Sequence, residues 1–273
     1  MKCLAIRRDD RFSPNAVEND RAILRRSCEL LSSKLQLTED IQMVDEQVFV
    51  SNPVEADVYL SMARLAATLS ILTNKAKNGS FVLNEPQGVL NCRRSTLDAL
   101  MRTRNIAMPP QKGTHGYWLK RGDEAAQSKD DVVFCKDEEA LEQAKVAFCR
   151  RGINDMVTSA HMPGDVVKFY GVGRNYFELF YPSDDGISKF GDEERNGVAH
   201  HYAFDREAFH SEVVKVSQLT GVSVYGGDAI IDADGHFFII DFNDWPSFSR
   251  CREAAAEAIA EYVLNQATRQ GVY

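Results

Sequence analysis

The residues best placed to do chemistry lie between Gly221 and Ser249, in GVSVYGGDAIIDADGHFFIIDFNDWPSFS. Two apolar runs flank a polar turn, Asp232-Ala233-Asp234-Gly235, which is hairpin chemistry. If Asp232 pairs with Gly235 across that turn, Asp228 lies opposite Ile239. Side chains alternate between faces along a strand, so Asp228, Asp241 and Asn243 share one face. Diagonal neighbours across a strand pair sit about 7–8 Å apart. Two carboxylates and an amide oxygen at that spacing, framed by Phe237, Phe238, Ile239 and Ile240, suit a hard cation such as Mg²⁺. The plainer alternative is that each Asp closes a turn or caps a following helix, with no metal involved.

Two lysines pose a similar choice. Lys120 ends the apolar run Tyr117-Trp118-Leu119, and Lys168 shares one strand face with Val166 and Tyr170. A desolvated ammonium needs a partner or a polyanion. An edge position with a snorkelling stem, or a half-exposed sheet face, would explain them without a ligand. Arg64 follows the strand expected at Val58 to Met62. Ser247, Ser249 and Arg250 open a final helix expected at about 250–269, where free backbone N–H groups favour an anion. The histidines show no HxH or HxxxH spacing, and no Ser-His-Asp arrangement stands out.

These groups need a scaffold, and the chain has the length for one. Its 273 residues allow two or three lobes around a cleft. A hydrophobic content of 44% with 26% charged residues is that of a globular protein. The net charge of −8 argues against nucleic-acid or membrane partners. Six scattered cysteines without CxxC spacing read as buried thiols of a reducing compartment. No apolar run has the length of a signal or a membrane span, so a cytoplasmic location is expected.

Strands are expected at Cys3 to Arg7, Val48 to Val50, Val58 to Leu60 and Phe81 to Leu83. They alternate with helices over about 22–37 and 65–77, which predicts an α/β lobe with a mostly parallel sheet over residues 1–90. A short helix over 95–103 ends before Pro109. Strands at 117–121 and 132–134, a crossover helix at 137–150, and hairpins at 166–181 and within 221–249 predict an antiparallel α+β region over 91–273. Its two lobes are expected to divide near 155/156, and 183–200 reads as a mobile surface loop.

In this order the chain resembles the ATP-grasp superfamily. GGDAIID…GHFFIIDFNDWPSF is similar to that family's last two strands, NEPQGVLNCRRSTLDALMRTRNIAMPP to its linker, WLKRGD to the strand carrying its first phosphate-binding Lys, and MPGDVVKFYGVG to the strand after its hinge. The nearest likenesses are to ribosomal-protein glutamate ligases and inositol trisphosphate kinases. The resemblance implies an ATP-grasp fold, ATP as cofactor, and two Mg²⁺ ions held by Asp228, Asp241 and Asn243. It implies Lys120 on the α- and β-phosphates and Lys168 as a second phosphate-side cation. It also implies a role for Arg64 toward the acceptor, as at similar positions in ligase relatives.

Two departures from the family pattern stand out. The loop GDEAAQSKDD has one Gly and four acidic residues, which leaves phosphate contacts to Gln127, Ser128 and Lys129. The hinge has Ala160 where many relatives carry an acid for the ribose. The expected function is an ATP- and Mg²⁺-dependent ligase that activates a carboxylate of a small molecule or peptide as acylphosphate for attack by an amine. The alternatives are a kinase acting on a hydroxyl and an ATP-binding module without turnover.

Overall fold

The computed structural model describes residues 1–13, 15–123, 129–185, 197–269 and 271. Strands β1 (Cys3–Arg7), β2 (Gln42–Asp45), β3 (Val58–Ser61) and β4 (Phe81–Leu83) form a parallel sheet in the order β2-β1-β3-β4. A parallel sheet covered on both faces needs unbroken apolar strands. In β1, Cys3 and Ala5 meet Ile23, Leu24 and Cys28 of helix α1 (Val17–Lys34). Leu4 and Ile6 face the other way, toward Phe49 of α2 (Glu46–Ser51) and Leu72 of α3 (Ala66–Lys77). The strand expected at Val48–Val50 is thus helical. Phe49 is buried while Val48 is 56% exposed, and the place beside β1 belongs to Gln42–Asp45.

Two short helices, α4 (Pro86–Asn91) and α5 (Arg94–Thr103), lead to a three-stranded antiparallel sheet in the order β6-β5-β7. It comprises β5 (Tyr117–Arg121), β6 (Val132–Cys135) and β7 (Met156–Ala160). Tyr117, Leu119 and Cys135 pack on Leu141 and Phe148 of α6 (Glu138–Arg150), which turns Trp118 and Lys120 to the opposite face. Because β7 pairs with β5, this sheet runs on through Ala160 before the chain enters the next one.

The second antiparallel sheet runs β11-β10-β8-β9, from β8 (Asp165–Val172), β9 (Tyr176–Phe180), β10 (Val224–Ile231) and β11 (Phe237–Asp244). One face, with Val167, Phe169 and Ala229, packs on Phe209 and Val213 of α7 (Arg206–Thr220). On the other, Tyr170, Val172 and Val224 meet the Ala-rich helix α8 (Arg252–Arg269), which joins α1 in the first core. Residues 186–196 of the expected loop lie outside the described set, but its flanks are tied. Ala199 N–H donates to Ser183 Oγ (3.1 Å), and His200 N–H to the buried Asp165 carboxylate (2.7 Å). All six thiols are free. Three are buried, two are half-buried, and Cys149 is exposed, contrary to the expectation.

Buried charge joins the parallel sheet to β11. Glu46, 0% exposed, accepts backbone N–H groups from Asp9 (2.7 Å), Arg64 (3.0 Å) and Leu65 (2.8 Å), so it ties together the loops leaving β1 and β3. From those loops Arg64 pairs with Asp244 (2.6 Å), and Arg8 pairs with Asp244 (3.3 Å) and Asp20 (3.1 Å). Burial alone would raise the Asp244 carboxyl, but Arg64 and Arg8 outweigh it and hold the pKa below the ordinary carboxylate range.

Two outcomes follow. Glu46→Gln keeps the shape but turns one acceptor into a donor facing an N–H, and should cost about 2 kcal/mol in urea unfolding. A carboxylate with a depressed folded pKa contributes stability that is present above its unfolded value, about 3.9, and lost as the pH falls through the folded value. The parent should therefore lose stability below about pH 4, and Asp244→Asn should show a shallower acid limb. An unchanged acid limb would contradict the pairing.

Candidate active site

The β10–β11 hairpin does not take the simplest register. Asp232 N–H donates to His236 O (2.9 Å) and Gly235 N–H to Asp232 O (3.1 Å), with Gly235 at φ +82°. This is a three-residue loop with a left-handed residue completing a bulge, so Asp232 pairs one residue beyond Gly235. A second single-residue shift falls between Asp228 and Ala229 and leaves Ile240 as the extra residue. Asp228 therefore faces Asp241, not Ile239. One slip would have turned Asp241 to the wrong face, whereas two restore it. The bulge also explains why Ile239 and Phe242, three apart, both enter the core beneath α7.

Across the ladder Lys168, Asp228 and Asp241 form one row, and Tyr170, Gly226 and Asn243 the next. Lys168 Nζ lies 2.6 Å from Asp228 Oδ1, and Asn243 Nδ2 donates to Asp241 Oδ2 at 2.7 Å. From the facing sheet Lys120 Nζ donates to the bulged carbonyl of Ile240 (3.0 Å). Gly226 lies on the carboxylate face beside Asn243, where a Cβ would press on Pro246 Cγ (2.8 Å), while Gly227 turns to the opposite face, where a Cβ would meet the Asp241 carbonyl and the Phe169 ring.

Burial pushes the Asp241 carboxyl up, yet Arg94, Lys120, the Asn243 hydrogen bond and Lys168 together hold it below the ordinary range. For Lys168, burial is outweighed by Asp228 and the ammonium is stabilised. For Lys120, burial prevails over the attraction of Asp241, so its pKa is lowered. Arg94 is a site residue that the sequence analysis did not single out. It opens α5 and donates to Arg121 O (2.7 Å), while Ser95 N–H meets Gly122 O (3.1 Å) at the base of the expected phosphate loop. A signal was present: Arg93-Arg94 puts cations at the positive end of a helix, where they need an external reason.

The other expected residues are placed unevenly. Gln127 and Ser128 lie outside the described residues, and nothing is described for the Lys129 side chain. Arg64 is held by Asp244 and is 17% exposed. Ser249 meets the Tyr170 hydroxyl. Ser247, Ser249 and Arg250 do not open the last helix, which begins at Arg252. Phe248, at φ +47°, and the Cys251 N–H bond to Phe248 O (3.0 Å) make a turn first. Ala160 lies within β7, and the next residue, His161, accepts from Trp118 Nε1 (3.2 Å) with Phe134 edge-on to both rings.

A different acidic group, Asp232, Asp234 and His236, also brings ligand atoms together, at the exposed hairpin turn. Asp232 Oδ1 accepts the N–H groups of Asp234 (3.0 Å) and His236 (2.8 Å), and this turn chemistry accounts for the grouping without an ion. Among the described residues, no helix is long and apolar enough to cross a membrane.

The donor set fits Mg²⁺ with a phosphate ligand: hard oxygens in one patch with cations beside them. No family model matches the sequence, and no curated protein does. Solved structures do. A RimK-domain ATP-grasp protein from Sphaerobacter thermophilus aligns over 97% of this chain and 100% of its own, at TM-score 0.67 and 15% identity. The D-alanine–D-alanine ligase of Bacillus anthracis aligns over 98% of each chain, at TM-score 0.67 and 9% identity. The ATP-grasp ligase PsnB aligns over 97% and 99%, at TM-score 0.61 and 12% identity. Agreement along nearly the whole of each chain at such low identity is agreement of architecture, and by that measure this chain has the ATP-grasp fold.

Proposed function

We propose that the chain is an ATP- and Mg²⁺-dependent ligase joining a carboxylate to an amine. The observation that carries this reading is the row Lys168–Asp228–Asp241 with Asn243 beside it, faced from the opposite sheet by Lys120 and with Arg94 acting on Asp241. In this reading Asp228, Asp241 and Asn243 hold the metal. When bound, Mg²⁺, here as two ions, neutralises charge on the β- and γ-phosphates. Lys120, Lys168 and Arg94 add fixed positive charge in a site poor in water, where it stabilises developing charge most. Gln127 and Ser128 add phosphate contacts from the loop. Trp118, Phe134 and His161 offer flat walls to a purine.

The γ-phosphoryl group passes to an oxygen of the acceptor carboxylate, and ADP leaves. The amine nitrogen then attacks the carbonyl carbon of the acylphosphate, phosphate departs, the amine loses a proton and an amide remains. Ser247, Ser249 and Arg250 are assigned to the acceptor side, while Arg64, expected there from the sequence, is committed to Asp244. The acceptor is a small molecule or a peptide. Among the neighbours, PsnB is solved with a precursor peptide, as well as with Mg and ADP, and D-alanine–D-alanine ligase with ATP. A polyphosphorylated hydroxyl acceptor fits less well, because Arg64 is already held by Asp244.

The test is Mg²⁺-dependent ADP release with a panel of carboxylates and amines, including short peptides, beside inositol phosphates. Turnover requiring both a carboxylate and an amine is expected. Asp241→Ala should abolish it, by at least about a hundredfold. Arg94→Ala should lose about tenfold or more, with Arg94→Lys recovering part because a cation is restored. Turnover with a phosphorylated polyol alone would replace the ligase by a kinase. Nucleotide binding without turnover on any acceptor would leave a binding module.

A further inference from the structure

Among the described residues, strand β11 is an edge strand, paired only with β10, yet it carries two of the three oxygen ligands. An edge is held on one side by its ladder and is otherwise liable to fray or slip. Here the segment 241–243 lies between two sets of pins. Upstream, Ile239 N–H donates to Ala107 O (2.8 Å), and Lys120 meets Ile240 O. Downstream, Asp244 and Trp245 are gripped from the parallel sheet. Arg64 bonds the Asp244 carboxylate (2.6 Å), and Arg8 Nη2 bonds the Asp244 carboxylate (3.3 Å), Asp244 O (3.2 Å) and Trp245 O (3.0 Å). Arg8 is itself fixed by Asp20 (3.1 Å), Ser13 Oγ (3.2 Å) and Met62 O (3.1 Å).

The grip coincides with an abrupt change of direction. Asp244 follows Asn243 and, by strand alternation, points away from it into the first lobe. The next residue, Trp245, is fully buried with φ +35°, a conformation a bulky residue adopts only when its surroundings impose it. A buried ion pair is a poor device for stability, since well-packed apolar groups serve as well or better. Its specific value is direction: two planar forks fix a carboxylate and two carbonyls in orientation, which apolar packing does not.

We propose that Arg8 and Arg64, through Asp244, are positioning residues for the oxygen cluster, setting where Asn243 and Asp241 point. The proposal rests on the metal reading above. Groups that orient metal ligands from behind typically alter affinity by about 10–100-fold when removed. The test is Mn²⁺ binding, read by electron paramagnetic resonance, to the full chain with a non-hydrolysable ATP analogue. Melting temperature and metal-free nucleotide binding are measured alongside.

Arg64→Met should weaken Mn²⁺ binding about tenfold or more while metal-free nucleotide affinity stays within about threefold. The double variant Arg64→Met/Asp244→Leu removes the charge from both partners and should recover thermal stability relative to Arg64→Met, because no carboxylate is left short of a partner. Its Mn²⁺ affinity should stay weak. Recovery of both stability and metal affinity would make the pair merely structural and overturn the proposal, as would unchanged Mn²⁺ affinity in the single variant. A parent chain that binds nucleotide but no Mn²⁺ would instead remove the metal reading, and this proposal with it.

Discussion

Two carboxylates face each other across one strand pair in a largely buried place, and the rest of the molecule answers to that constraint. Directly opposed side chains in such a ladder have Cβ atoms about 4.5–5.5 Å apart. Without compensation one of two such groups would take up a proton. Instead Asp241 is held ionised by cations from three separate elements: Lys168 on β8, Lys120 on β5 and Arg94 on α5. That requirement fixes relations between parts distant in sequence. The three-stranded sheet must come close enough for Lys120 to reach Ile240 O. The linker must deliver α5 with its first residue at the base of the β5–β6 loop.

The same strand meets a second demand at its other end. The loops leaving β1 and β3, where open α/β sheets place their functional groups, are tied by Glu46 and extend two arginines to Asp244. The parallel lobe and the oxygen cluster thus share residues on either side of one peptide bond, Asn243–Asp244. An acceptor bound at the first lobe would lie against the strand that carries Asp241 and Asn243. This gives a physical reason for the first lobe to belong to the site and not merely to flank it.

Much of this was legible in the sequence because it follows from periodicity and residue type. The apolar runs at Cys3 and Val58 read as strands of a parallel sheet and are so, and the hairpin with Asp228, Asp241 and Asn243 on one face followed from alternation. The register was not legible. A left-handed Gly235 and a bulge at Ile240 each moved the pairing by one residue, and the face survived because two such shifts cancel in a period of two. Val48–Val50 misled because three apolar residues suit a helix as well as a strand; Glu46, needed at the ends of β1 and β3, decided for the helix. Arg94 and Asp244 escaped notice because their partners lie far away in sequence, and only the folded chain brings them together.

The metal assignment proposed above has Asp228, Asp241 and Asn243 hold the divalent ion against the phosphates of ATP. Its most direct test is a crystal structure grown with Mn²⁺ and a non-hydrolysable ATP analogue, with the ions located by anomalous scattering. Peaks are expected about 2.0–2.4 Å from oxygens of Asp241 and Asn243, with Asp228 as ligand to at least one ion and Lys120 and Lys168 on the phosphates. Peaks only at the Asp232–Asp234–His236 turn, or nucleotide bound with no metal on β10 and β11, would contradict it.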